Sequence, residues 1–142
     1  MYPTLRIIAL ATLVGLSNAG VALTQNMIVN GDFELGGVGF TSDYDDVTDQ
    51  ITFPNSMAFG DFAIDTDADI YNQTYFGSLG DHTTGTGSMM VVNGASTANQ
   101  NVWCQTVNVG PNTNYQFSTW VASVISRNPA NLQFSINGMN IG

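Results

Sequence analysis

Carboxylates in close series, a histidine beside an aspartate and a tryptophan among amides are the side chains of this sequence that could do chemistry. Asp65, Asp67 and Asp69 alternate with Thr66 and Ala68. On an extended backbone their carboxyl groups share one face about 6–7 Å apart, where they repel unless solvated or bound to a hard cation. An EF-hand loop counted from Asp65 would need Gly and Glu where Ile70 and Phe76 stand, so that motif is excluded. A solvated acidic loop is the expectation, as it is for Asp43, Asp45, Asp46 and Asp49 around Tyr44. His82, the only histidine, sits between Asp81 and Thr83. A metal site or a catalytic triad needs partners, and no second histidine exists, so His82 is expected to be a turn residue hydrogen-bonded to its neighbours. Gly85 and Gly87 make no phosphate loop, because no lysine follows. Glycoside hydrolysis calls for two carboxylates across a cleft, and the only glutamate, Glu34, lies near the N-terminus in an expected strand. A serine nucleophile would need His82 as its base and has no G-x-S-x-G context. No enzymatic activity is expected.

Trp120 offers a different chemistry. If Tyr115, Phe117 and Val121 face a core, period-two alternation turns Trp120 outward with Gln116 and Ser118 on its own strand. Gln133 and Ser135 are its expected neighbours on the next strand. An exposed indole among amide and hydroxyl groups suits sugar recognition: the ring stacks on pyranose C–H bonds while the polar groups bond the hydroxyls. Trp120, Gln133, Ser135 and Gln116 are therefore the candidate ligand-binding residues. The competing expectation is that Trp120 is covered by another part of the fold and is structural.

The elements that must hold these residues are strands. Residues 101–141 contain three alternating runs and predict a β-meander. In the first, Trp103, Gln105, Val107 and Val109 share a face. Gly110-Pro111-Asn112 breaks it, since proline cannot donate to a ladder and Gly and Asn tolerate turn geometry. A second strand over 115–122 and a third with Leu132, Phe134 and Ile136 inward follow. Asn137-Gly138 predicts a two-residue type I′ hairpin that pairs Ile136 with Met139 and returns Met139 and Ile141 to the core face. Upstream, Phe59, Phe62, Ile64 and Ile70 suggest short strands between loops, and Met89-Met90-Val91-Val92 reads as a strand covered on both faces.

Composition narrows the class. The chain has 142 residues, of which 9% are charged, with a single cysteine. Cys104 thus has no intrachain disulfide partner and is expected to pack as a small side chain. All 11 acidic residues fall between Asp32 and Asp81, against two basic residues, Arg6 and Arg127. Such a surface repels nucleic acid and anionic lipid, whose phosphates require clustered Lys and Arg. Residues 1–22 predict a signal peptide: Arg6 supplies the n-region charge, Ile7 to Leu16 the apolar core, and Ala19 and Ala22 equivalent cleavage sites. The apolar run is shorter than the roughly 20 residues a membrane span needs. Removal of the leader with Arg6 takes the net charge from −9 to −10. A secreted or cell-surface protein with no membrane insertion after cleavage is expected.

Asn30-Gly31-Asp32-Phe33-Glu34, preceded by Ile28-Val29, resembles the opening of galactose-binding-like jelly rolls, which include carbohydrate-binding modules of secreted bacterial glycosidases and domains of surface proteins. The order of Gln105 and Val107, the Pro111-Asn112 turn and Tyr115-x-Phe117-Ser118-x-Trp120-Val121 is similar to those domains too. The resemblance implies an all-β jelly-roll β-sandwich over residues 23–142. It also implies a structural calcium held in part by Glu34, whose second ligand would come from a final strand. The family's last strands have no counterpart here, so the domain is expected to be C-terminally truncated and to belong to a larger parent protein with further domains. The resulting expectation is a noncatalytic carbohydrate-binding or adhesive module that takes a polysaccharide or glycan. The alternative is a structural spacer or protein-interaction domain of a cell-surface protein with no small ligand.

Overall fold

A computed structural model of the chain describes residues 4–5, 26–51, 56–125, 127 and 129–142. The protein is all-β, mostly short strands and loops with one turn of 3₁₀ helix at Asp69–Tyr71. Apart from Thr4–Leu5 (β1), which pairs in parallel with Asn131–Leu132, the leader expected over residues 1–22 lies outside the described residues. Among the described residues no helix is long and apolar enough to cross a membrane.

Asp45–Asp46 (β2), Asp61–Asp65 (β3) and Met89–Asn93 (β4) form the principal sheet, with β3 in the middle, parallel to β2 and antiparallel to β4. The register sets Phe62 opposite Val92, Ala63 opposite Val91 and Ile64 opposite Met90. Because side chains alternate across a strand, these pairs feed two cores. Phe62, Ile64, Met90 and Val92 pack with Tyr44, Ala95, Val102 and Trp103 on one face. Ala63 and Val91 pack with Met57, Ala68 and Tyr71 on the other. The unbroken apolar run of β4 is thus covered on both sides, as its composition predicts. β2 carries two exposed aspartates and no strand signal. It is drawn to β3 by Tyr44, which is buried beside it and whose hydroxyl accepts the Ala95 N–H at 2.9 Å. Burial raises the Tyr44 pKa, so the hydroxyl stays neutral.

Residues 101–105 are stitched to the N-terminal segment. Thr41 and Cys104 exchange backbone hydrogen bonds of 2.8 and 2.9 Å, and the Asn101 carbonyl accepts the Asp43 N–H at 2.8 Å. Buried Gln105 accepts the Val29 N–H at 2.8 Å and donates its amide to the Val29 carbonyl at 2.9 Å and to the Gly39 carbonyl. Between Val29 and Gly39 the chain is shaped by Asn30, at φ 53°, whose side chain accepts the Leu35 N–H and donates to the carbonyls of Gly36 and Val38. The Asn30-to-Glu34 motif is therefore a turn built on one amide, and the strand expected around Glu34 is absent there. Phe33 and Phe40 meet edge-on at 5.9 Å and carry the segment onto Phe62 and Trp103.

The expected meander is corrected. Beyond the Thr41–Cys104 bridge, residues 105–123 run without a strand ladder. Alternation gave the segment an extended habit, but a strand also needs a neighbour for its N–H and C=O groups. Residues 101–105 take theirs from 41–43 instead of from the following run. Tyr115 and Val121, expected inside, are exposed, while Phe117 packs on Phe134 at 5.8 Å. The hairpin forms as predicted: Ser135–Ile136 (β6) pairs with Met139–Asn140 (β7), Ile136 faces Met139, and Asn137 and Gly138 have φ of 50° and 77°. β5 is Asn131–Leu132. Met139 and Ile141 do not return to the core, being 70% and 51% exposed.

Asp65, Asp67 and Asp69, expected in a solvated acidic loop, lie half-buried along the bend into the 3₁₀ turn. Asp65 accepts the Tyr71 hydroxyl at 2.8 Å, and with burial this pushes the phenol up to about 12. Because Phe62 fills the centre of the first core, Phe62→Ala should lower the unfolding free energy by about 3–5 kcal/mol. Met139→Ala should change it by less than about 0.5 kcal/mol. Urea unfolding followed by circular dichroism measures both.

Candidate functional site

Three carboxylates shape the loop over residues 78–88. At its start Asp67 accepts the Ser78 hydroxyl at 2.8 Å and the Leu79 N–H at 3.2 Å, and the Ser78 bond chiefly holds its pKa below the usual value. In the middle Asp81 accepts the N–H groups of Thr83, Thr84 and Gly87 and the Thr84 hydroxyl, all at 2.7–2.8 Å. These bonds, the Thr84 N–H foremost, hold the Asp81 carboxyl down at about 2. At the end Glu34 accepts the Ser88 N–H at 2.9 Å. The loop closes tightly: a Cβ on Gly80 would strike the Gly85 carbonyl.

This fixed turn presents His82. Its ring lies against Trp120, with ring centroids 3.6 Å apart and planes 11° from parallel. Trp120 remains 74% exposed, so with one face on the imidazole its opposite face is open to solvent. His82 is in a turn, as expected, but the hydrogen bonds of that turn belong to Asp81; the histidine contributes its ring. Nothing local signals this pairing, because the two residues belong to segments distant in sequence.

Trp120, His82, Asp81 and Gln116 border a cleft of about 490 Å³ whose walls are apolar, with Trp103, Val102 and Tyr44 among its buried lining. Of the four predicted ligand-binding residues the structure brings Trp120 and Gln116 to this cleft. Gln133 and Ser135 do not line it; Gln133 is half-buried and Ser135 is 3% exposed, in β6. Leu132 and Phe134 turn towards the cleft instead, which by alternation sends 133 and 135 the other way. Cys104 is half-buried beside its bridge to Thr41.

The described residues around Glu34 do not by themselves supply the full ligand set of a calcium ion. Calcium takes six to eight oxygen ligands, several of them carboxylate. Among the described residues no group of three or more His, Cys, Asp or Glu side chains converges on one point, and Glu34 is engaged with the backbone at Ser88.

The depressed pKa of Asp81 has a definite pH consequence. The unfolded chain binds the proton near 3.8 and the folded loop near 2, so the stabilisation is complete above the first value and fades as pH falls through the second. Asp81→Asn should abolish that acid-side loss and weaken amide protection at Thr84 and Gly87 at neutral pH. Hydrogen exchange read by NMR between pH 2 and 7 measures both effects.

No protein family, curated protein or solved structure matches this chain.

Proposed function

We propose that the protein is a noncatalytic carbohydrate-binding module that receives a polysaccharide or glycan on the open face of Trp120. The observation that carries this reading is the exposure of Trp120 with one ring face backed by His82. A flat aromatic surface held from behind loses little freedom when a sugar stacks on it, and the C–H face of a pyranose is matched by the ring's electron-rich face. Gln116, beside Trp120 on the cleft rim, supplies an amide that can both donate to and accept from sugar hydroxyls. Gln133 and Ser135 are not needed.

The N-terminal motif and its resemblance to galactose-binding-like jelly rolls favour a sandwich of that type, and the leader-like residues 1–22 favour secretion or display at the cell surface. The acidic surface, with two basic residues in the chain, favours a neutral glycan over an anionic one. A structural calcium held in part by Glu34 stands apart from the binding step, which uses Trp120 and Gln116.

Titration of the purified protein with soluble neutral polysaccharides, followed by tryptophan fluorescence, tests the reading. Saturable binding is expected. Trp120→Ala should weaken it about tenfold or more, the equivalent of roughly 1.4 kcal/mol of lost stacking, and a calcium chelator should leave it unchanged. A folded protein that answers to no glycan would favour the structural or protein-interaction role.

A further inference from the structure

The cleft below Trp120 is a feature that sugar stacking on the outer ring face does not use. It is open to solvent along the rim at Trp120 and holds about 490 Å³, within the size range of small-molecule sites. Val102, Trp103, Leu132 and Phe134 line it, and all four belong to or pack against the first core. Among the described residues of this lining, one buried side-chain polar atom has no partner. Trp103 is 8% exposed and its indole Nε1–H makes no hydrogen bond. A buried donor left unpaired is destabilising by about 1–3 kcal/mol, and indole can only donate.

We infer that this cleft is a binding site for an uncharged, mainly apolar small molecule carrying one acceptor oxygen, such as a ketone, ester or ether, which accepts the Trp103 Nε1–H. Charge on the ligand is opposed from two sides. The mainly apolar walls offer an ion little solvation, and among the described residues no Lys or Arg lines the cleft, whereas Asp81 at the rim is ionised at neutral pH. The Tyr44 hydroxyl, the other polar group in the buried lining, is already engaged with Ala95. The site is distinct from the outer face of Trp120, so glycan binding and cleft occupancy are separate properties.

The test uses 6-propionyl-2-(dimethylamino)naphthalene, an uncharged naphthalene with a single ketone whose emission moves to the blue in apolar surroundings. Saturable binding with a blue shift is expected, with the indole N–H resonance of Trp103, identified as the one retained in Trp120→Ala, moving downfield. Trp103→Phe keeps the ring and removes the donor. It should weaken the ketone about three- to tenfold while leaving unchanged the displacement by 2-(dimethylamino)naphthalene, which lacks the acceptor. Ala122→Trp, at an exposed lining position that leaves the core untouched, should abolish binding of both by filling the cleft. The proposal is overturned if the folded protein shows no saturable blue shift, if the Trp103 resonance stays fixed on binding, or if Ala122→Trp binds as the parent does.

Discussion

The structure depends on one buried amide. Gln105 meets both the N–H and the C=O of Val29 and also reaches the Gly39 carbonyl, so a single side chain holds the two ends of the Asn30 turn against the segment that carries Trp103. Only a primary amide can do this, because it presents a donor and an acceptor from one planar group. A carboxylate there would face two carbonyl oxygens. An apolar residue would leave the part-buried backbone groups of Val29 and Gly39 without this partner. Everything that packs on Trp103, including Phe40 and the Phe62 face of β3, follows from that anchorage.

A second constraint comes from charge. Eleven carboxylates and two basic residues leave almost no scope for ion pairing, and the chain uses backbone N–H groups in its place. Asp43 accepts from Asn101, Asp46 from Thr48, Asp61 from Ala58, Asp67 from Leu79, Asp81 from Thr84 and Glu34 from Ser88. Short acidic side chains thereby act as turn builders, satisfying donors that strands would otherwise pair. Carboxylates arranged in this way are dispersed along loops and committed one by one.

These turns decide where the aromatic rings lie. The loop closed by Asp81 brings His82 over the cleft, and the 115–123 segment, free of any ladder, lays Trp120 across it. The rim is therefore made of a rigid turn and an extended chain held mainly by side chains such as Phe117 on Phe134. Below them lie the apolar side chains of β4 and Trp103.

Features governed by neighbours in the chain were legible in the sequence. Asn137-Gly138 specifies its hairpin because both residues tolerate positive φ, and the turn fixes the pairing of Ile136 with Met139. The apolar run of β4 announced a strand covered twice and Trp103 a buried side chain, whereas the sequence left open whether Trp120 is exposed or covered. The choice of partner was not legible. Alternation sets which way side chains point but does not say which distant backbone will complete the ladder. Residues 101–105 consequently joined Val29, Gly39 and Thr41, and the run after them was left unpaired. The same holds for the site. Sequence supplied Trp120 and Gln116 from their own strand-like spacing, while Gln133 and Ser135 depended on a cross-strand register that never formed. Tertiary structure put His82 behind Trp120, because only packing between segments remote in sequence determines which rings meet.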